Sequence, residues 1–386
     1  MRYLSLLMLL SFSIHATAAE ELPETLTKSL LWRESCENEK TENVSRGLKL
    51  NSPRFDKGVS GNGWLIEQPN ADLLSSRDFD DKAGWILIGT PEFRQEGGAF
   101  SPSCATVDGE NYLRQVVEKL QEGKSYCFST YARAETPGSR LRILLDKTEL
   151  VAVAPGKEFG RFTATFTAAY PVSTITLQGV GGTVVVDAAQ IDYSCTFPTS
   201  FVPKGRRSNQ INELKGEGNL NPKRGALSLW FKPHWMGETG MGYGLAGFGN
   251  DGTYFFLRAY PDKDEPAHVW KNRLLWGFRG KAGEETYSGA SCVSPPLQEW
   301  QNREWHHVAV NWDFLPDEKL VRTEMYLDGK LASDRKFIFP GVMVPETFLL
   351  GYWHGGYANA VMDEIMVFDR PVTAEEAEAL FRLRAE

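Results

Sequence analysis

The 386-residue chain has no massed charge, no second long apolar run, and none of the short motifs that mark common active sites. Its 42 Lys and Arg are scattered among 50 Asp and Glu, for a formal charge of −8. Such a surface repels a phosphate backbone on average, which sets nucleic acid aside as a partner. The apolar run from Tyr3 to Ile14 is shorter than the roughly 20 residues a membrane span needs, and no later stretch approaches that length. A transmembrane segment is therefore not expected. There is no C-x-x-C, no H-E-x-x-H, no nucleophile elbow and no phosphate-cradling glycine loop. The sequence offers no nucleophile, and no enzyme is expected.

Amphipathic helices are also scarce. What is abundant is 11 Trp, 13 Tyr and 22 Phe beside 36 Gly and 20 Pro, the mixture of short strands, tight turns and stacking surfaces. Met1-Arg2, the apolar run and Ala16-Thr17-Ala18-Ala19 before Glu20-Glu21 read as a secretory signal peptide over residues 1–19. Cleavage near Ala18 or Ala19 would leave a secreted, periplasmic or cell-envelope protein. Export permits a disulfide bond among Cys36, Cys104, Cys127, Cys195 and Cys292. Their odd number leaves a thiol free or paired with another chain, and the connectivity stays open.

The length exceeds one compact core, so two domains are expected. Short runs rich in β-branched and aromatic residues, Tyr126 to Ala134, Arg140 to Leu145, Arg161 to Phe166, Ser173 to Leu177 and Thr183 to Ala188, form a first series of strands. A polar joint, Lys204 to Gln210, precedes a second series that starts at Ala226 to Phe231 and runs to Phe368. Asp328-Gly329 between apolar flanks is a hairpin signal. The one clear helix starts at Thr373, with Glu376 completing a capping box and Arg382 and Arg384 in its last turn. The predicted fold class is all-β: two antiparallel β-sandwich (jelly-roll) domains with a short C-terminal helix.

Three stretches together resemble the laminin-G-like, pentraxin-related family of concanavalin A-like fold. They are Gly225 to Pro233, then Glu304 to Trp312 with Tyr326-Leu327-Asp328-Gly329, and Met362 to Thr373. The resemblance implies two face-to-face sheets that bind glycans or proteins, often without catalysis. Asp72 to Asp80 with Trp85, Tyr126 to Ala134, and Val186 to Ile191 running into Pro198 to Pro203 are similar to jelly-roll carbohydrate-binding modules. In the laminin-G-like family an early strand pairs near the C-terminus, and text like Phe55 to Gly63 follows it. The expected organisation is thus an N-terminal strand segment at 29–68, an inserted carbohydrate-binding-like module at 69–203, and the laminin-G-like body at 204–386.

Glucanases share this fold and need paired carboxylates. The nearest set is Asp363-Glu364 with Asp369, where strand alternation puts Asp363 and Asp369 on one face and Glu364 on the other. The resemblance makes Asp363-Glu364 structural. His306 and His307 are adjacent on a strand, point to opposite faces and cannot chelate one metal together. Sugars present C–H faces to flat rings and hydroxyls to polar groups. The segment Gly351 to Asn359 supplies both, making Trp353, His354, Tyr357 and Asn359 the candidate ligand contacts, against the alternative that Tyr352 or Trp353 caps the core. Trp235 and Trp276 are lesser candidates with a core role favoured, and Trp85 stands where the module family keeps a core tryptophan. Carried over by position, the resemblance implies a structural calcium held by Asp80 and Asp187, with two solvated or capping aspartates as the alternative. The expectation is an exported, non-catalytic, lectin-like protein that recognises a glycan or polysaccharide. A structural or adhesive protein binding a cell-surface protein, and a glycoside hydrolase, are the alternatives.

Overall fold

A computed structural model describes residues 22–37, 46, 48–50, 53–68, 73–193, 198–202, 212–235, 242–249, 254–260, 273–282, 285–297, 304–315, 320–338, 346–353 and 356–383. The signal-peptide stretch, Asp72, Cys195, the 204–210 joint and His354 lie outside them. Four larger antiparallel sheets form two face-to-face pairs, as the all-β pattern predicts. No helix among the described residues is long and apolar enough to cross a membrane.

The first pair is built from residues 85–193. One sheet has the order Thr148–Val153, Arg140–Leu145, Ser173–Val180, Tyr112–Val117, Trp85–Ile88, and the other Gly160–Thr167, Ser125–Ala134, Val184–Tyr193, Cys104–Val107, Phe93–Arg94. Alternate residues of both, such as Phe128, Ile143, Leu177 and Val186, point into one core. Trp85 belongs to it, stacked on Phe79 at 5.1 Å, with its Nε1 donating to the Ser76 carbonyl.

The second pair surrounds a larger aromatic core. Its eight-stranded sheet runs Phe55–Lys57, Asn62–Ile66, Ala360–Phe368, Arg224–Pro233, His306–Leu315, Leu320–Leu327, Lys330–Ile338, with Leu30–Glu34 also paired to Ala360–Phe368. Its six-stranded sheet runs Asn212–Lys215, Thr347–Leu350, Tyr243–Gly249, Tyr254–Tyr260, Arg273–Ala282, Glu285–Val293. Strands from both ends of the sequence thus share one sheet, while residues 85–193 pair among themselves. Trp276 and Trp312 are fully buried between the sheets. Their indole N–H groups donate to the carbonyls of Asn311 and Asn221, so large apolar rings are buried without orphaning a donor. Trp235 is likewise core, donating to the Ala358 carbonyl.

Local chemistry explains the edges. Asp328 (φ 47°) and Gly329 (φ 76°) make the tight hairpin expected of Asp-Gly. Asp328 also accepts from the His307 amide and meets His306 Nδ1 at 3.0 Å. His307 turns the other way, its Nε2 2.9 Å from Ser228 Oγ, and burial pushes its pKa down to about 4. The C-terminal helix Ala374–Arg382 has the capping box of Thr373 and Glu376 and stacks Phe381 on Trp230.

The expected disulfide does not form among the four described cysteines. Cys36, Cys104, Cys127 and Cys292 are buried free thiols, turned to the carbonyls of Glu34, Glu96, Phe128 and Thr323 respectively. Burial holds the Cys127 thiol protonated, with its pKa up at about 12.

Candidate functional site

On Tyr243–Gly249, the side chains of Tyr243, Leu245, Ala246 and Phe248 enter the core, leaving Gly244 and Gly247 on the outer face. Bare backbone there makes a seat for something flat. The hairpin of Tyr352–Trp353 and Gly356–Tyr357 lies in it. A Cβ on Gly247 would stand 1.8 Å from the Trp353 ring, and one on Gly244 2.3 Å from the Trp353 amide. On the same face the Phe256 ring lies over Gly277, 2.3 Å from the position of a Cβ, and the Arg258 guanidinium lies against Gly242. Tyr352 and Tyr357 stand half-exposed with ring centroids 4.9 Å apart at 56°.

The expected contacts are therefore divided. Tyr357 is half-buried, with Tyr352 against it. Trp353 is only 8% exposed, because it is pressed onto the glycine seat. Asn359 faces inward instead of toward a ligand. Its backbone is left-handed (φ 42°), its Oδ1 accepts from the Gln68 amide at 2.6 Å, and its Nδ2 donates to Gln68 Oε1. Gln68 in turn donates to the Tyr193 carbonyl, and Glu67 accepts from the Ser200 amide. Asn359 thus helps clamp the two crossings of the chain between the sandwiches. Phe256 and Arg258 escaped the sequence reading, since a Phe and an Arg on a strand look like core and rim. The glycines at 244, 247 and 277 were the available signal, because glycine inside a strand marks a close approach.

The carboxylates of the closing strand follow a different geometry from plain alternation. Glu364 takes φ 48°, and it and Ile365 together face the single Leu229. This bulge shifts the core phase, so that Ala360 and Met362 before it and Ile365 and Val367 after it point inward. Asp363 consequently falls on the outer face with Met366 and Phe368, and the plain alternation that put Asp369 on the same face does not hold across the bulge. Asp363 Oδ2 accepts from the Val59 and Ser60 amides, and its Oδ1 from the Glu364 amide. Burial raises its pKa to about 7 against the pull of those three donors. Glu364 receives a two-pronged bond from Arg33, 2.7 Å to each oxygen.

Asp187 repeats this device in the other sandwich. Ala188 takes φ 53°, Asp187 accepts from the Ala99 and Phe100 amides and from the Ala188 amide, and the core phase shifts between Val186 and Ala189. The acidic neighbour of Asp187 is Asp78, not the predicted Asp80. The left-handed Phe79 (φ 54°) buries its ring and Asp78, leaving Asp80 half-exposed. Burial, with the Asp78 charge adding to it, raises the Asp187 pKa despite the donors. Asp78 is 4% exposed, and its Oδ2 makes no hydrogen bond. The carbonyls of Ser101 and Ser103 and Asp187 Oδ2 all lie within 3.0 Å of where a Cβ on Gly98 would stand. Asp78 Oδ2 is the carboxylate oxygen of this cluster left without a donor, and a hard cation beside it would have Asp78 and Asp187 as carboxylates and the Ser101 and Ser103 carbonyls as further oxygens.

Residues 207–378 match the family model described as the concanavalin A-like lectin/glucanases superfamily. No curated protein matches the chain. Among solved structures, domain 4 of AbnA, a GH43 extracellular arabinanase from Geobacillus stearothermophilus in complex with arabinotriose, is similar at 15% identity and a TM-score of 0.32, covering 45% of this chain and 72% of that one. The binding domain of botulinum neurotoxin serotype D is similar at 11% identity and a TM-score of 0.34, and that of Paraclostridial Mosquitocidal Protein 1 at 15% and 0.33. Each covers 45% of this chain, which spans only 41% of either toxin structure. The family match thus falls on the second of the two sandwiches, within which most of its strands lie.

Proposed function

We propose that the chain is an exported, non-catalytic glycan-binding protein whose second sandwich engages sugar through the aromatic hairpin of Tyr352–Trp353 and Gly356–Tyr357. One observation carries this reading: a tryptophan seated on bare glycine backbone anchors a hairpin on which two half-buried tyrosine rings meet. Rings so fixed lose little entropy on meeting the C–H face of a sugar. Binding without catalysis is favoured because Asp363 is engaged by three amides and Glu364 by Arg33, which leaves neither poised to protonate or attack a glycosidic bond.

A screen of the mature chain against immobilised polysaccharides tests this. Replacing Tyr352 and Tyr357 together by alanine is expected to weaken the retained polysaccharide at least about tenfold while the melting temperature stays close to wild type. Unchanged retention by the double variant would reject the hairpin as the contact. Gly247→Ala should act through the seat: its Cβ displaces the Trp353 ring, costing about 1–3 kcal/mol in denaturant unfolding and weakening the same polysaccharide.

The first sandwich is proposed to take a structural calcium at Asp78 and Asp187, a role the ion would fill by balancing two buried carboxylates. Calcium at about 100 times its dissociation constant should stabilise the fold by about 2.7 kcal/mol, read as a rise in melting temperature that chelator reverses. Asp78→Asn should abolish that response. A wild-type melting curve indifferent to both calcium and chelator would remove the ion.

A further inference from the structure

Where the first sandwich ends, its last strand and the chain leaving it meet in a buried polar cluster. Gln190 and Asp192 lie on Val184–Tyr193, turned to the outer side of the sheet because Ala189 and Ile191 fill the core. Thr199 packs against them, and all three residues are buried. The Thr199 hydroxyl donates to Asp192 Oδ1 at 2.5 Å. The Gln190 carboxamide nitrogen lies 3.0 and 2.9 Å from Asp192 Oδ1 and Oδ2, 2.9 Å from Thr199 Oγ1 and 3.3 Å from the Thr199 carbonyl. Four oxygens thus crowd an NH2 group that has two protons to give, whereas Gln190 Oε1 accepts no hydrogen bond from any described residue. Reversing the amide would not relieve this, since its oxygen would then face both oxygens of a carboxylate. Arg161 adds a second unused group. Its Nη2 donates to Ser129 Oγ and to the same Thr199 carbonyl, and its buried Nε–H finds no acceptor among the described residues.

A clasp built only for hydrogen bonding would satisfy its carbonyl and its guanidinium. This cluster instead holds the parts of an acyl transfer: a hydroxyl nucleophile, one carboxylate touching both that hydroxyl and the nitrogen that would leave, an amide withdrawn from water, and a cation beside it. We propose that Thr199 and Gln190 join in an ester cross-link that the protein makes by itself. Asp192 takes the Thr199 proton as Oγ1 attacks Cδ of Gln190, which lies one C–N bond of about 1.33 Å beyond the nitrogen Oγ1 already meets; a turn about the last side-chain torsion presents its face. Negative charge passes to Oε1, where the Arg161 cation, held against the same Thr199 carbonyl as the amide, opposes it. The tetrahedral intermediate then breaks the Cδ–Nε2 bond, the protonated Asp192 returns its proton to the departing nitrogen, and ammonia leaves. The Oγ1–Cδ bond replaces Cδ–Nε2, and no oxidant, cofactor or water is consumed. The ester would close the loop from 190 to 199 and fasten the exit of the first sandwich, where the Ser200 amide already donates to Glu67.

Intact-mass spectrometry of the purified, denatured chain tests this, whatever the hairpin of the second sandwich binds. The wild type is expected to be lighter than its sequence by one ammonia, about 17 Da. Chymotrypsin, cutting after Tyr193 and Phe197, should leave the pieces that hold 190 and 199 joined. Mild alkali on the denatured chain should part them by adding one water, with glutamate appearing at 190. Thr199→Val, which lacks the nucleophile, and Asp192→Asn, which lacks the base, should each show the full sequence mass. If either fails to fold, Thr199→Ser keeps the hydroxyl and should lose the same ammonia as the wild type. A wild type that stays at full sequence mass after prolonged incubation at neutral pH overturns the cross-link. So does a loss of ammonia that persists in Thr199→Val, as a succinimide at Asn62-Gly63 would, or one that leaves 190 and 199 on separate chymotryptic pieces.

Discussion

Asp363→Ala is expected to destabilise the second sandwich by about 3 kcal/mol or more, measured by denaturant unfolding. The Asp363 side chain holds the partly buried amides of Val59 and Ser60, and alanine leaves both without an acceptor at the sheet edge. Hydrogen bonds to charged groups contribute about 1.5–3 kcal/mol each, and orphaned donors retain their desolvation cost. Gly58 precedes the two amides and shows why no other side chain fills the gap: a Cβ there would sit 2.5 Å from Asp363 Oδ2. Asp363→Asn should cost less, because its amide oxygen can keep the loop donors while its NH2 confronts the Glu364 N–H. The two substitutions also report on pH. Burial raises the folded pKa of Asp363 from 3.8 to about 7. The folded state therefore binds more protons than the unfolded chain between those values, and this residue's contribution is complete below pH 4 and declines as pH rises toward 7. A wild-type stability that falls across that window, with a shallower slope in Asp363→Asn, is the expected result. Equal slopes would show that Asp363 titrates normally.

The same local arrangement appears twice. Gly58-Val59-Ser60 presents two amides to Asp363, and Gly98-Ala99-Phe100 presents two to Asp187. Each aspartate is followed by a left-handed residue and by core positions shifted by one. A sandwich closes when its last strand reaches between two earlier ones, and the bulge lets that strand bend while the carboxylate secures the loop alongside. The double use explains why one sandwich can be carried within the sequence of another: each closes on its own last strand, and Glu67, Gln68, Asn359, Tyr193 and Ser200 need only bind the two crossings together.

Strand positions, the Asp328-Gly329 hairpin and the capped helix were readable because each depends on neighbours in sequence. Leu30–Glu34 begins one residue after the predicted start, since Ser29 ends a short helix and bonds back to Thr25 and Leu26. Its pairing with Ala360–Phe368 was anticipated only through resemblance, because no local pattern joins residues over 300 positions apart. The bulges were not legible. Alternation assumes one residue opposite one, and nothing in Asp363-Glu364-Ile365 or Asp187-Ala188-Ala189 announces a left-handed backbone, least of all an alanine. That omission misassigned the face of Asp363. The left-handed Phe79, which buries Asp78 and leaves Asp80 half-exposed, was equally hidden. At the hairpin the aromatic residue types were visible in the sequence, but that Trp353 would be seated while Tyr352 and Tyr357 stay half-buried depended on glycines from a different strand.

Arg33→Ala should cost about 3 kcal/mol, and a companion variant separates the reasons. Arg33 lies on the N-terminal strand, and its guanidinium meets Glu364 through two nitrogens, 2.7 Å to each carboxylate oxygen. Glu364 is 2% exposed. Removing Arg33 leaves that carboxylate buried beside Asp363 with its main counter-charge gone, a change that typically costs about 3–5 kcal/mol for a buried pair. Arg33 itself is about one-third exposed, so water can partly replace it, which sets the expectation at the lower end. Replacing both partners, Arg33→Met with Glu364→Met, removes the charge that needed compensation and should recover most of the loss. If the pair merely decorates the surface, both variants will unfold with the wild type. If instead it fastens the N-terminal strand to the closing strand, Arg33→Ala will expose Leu30–Glu34 to limited proteolysis ahead of residues 85–193, whose own sheets contain no part of that contact.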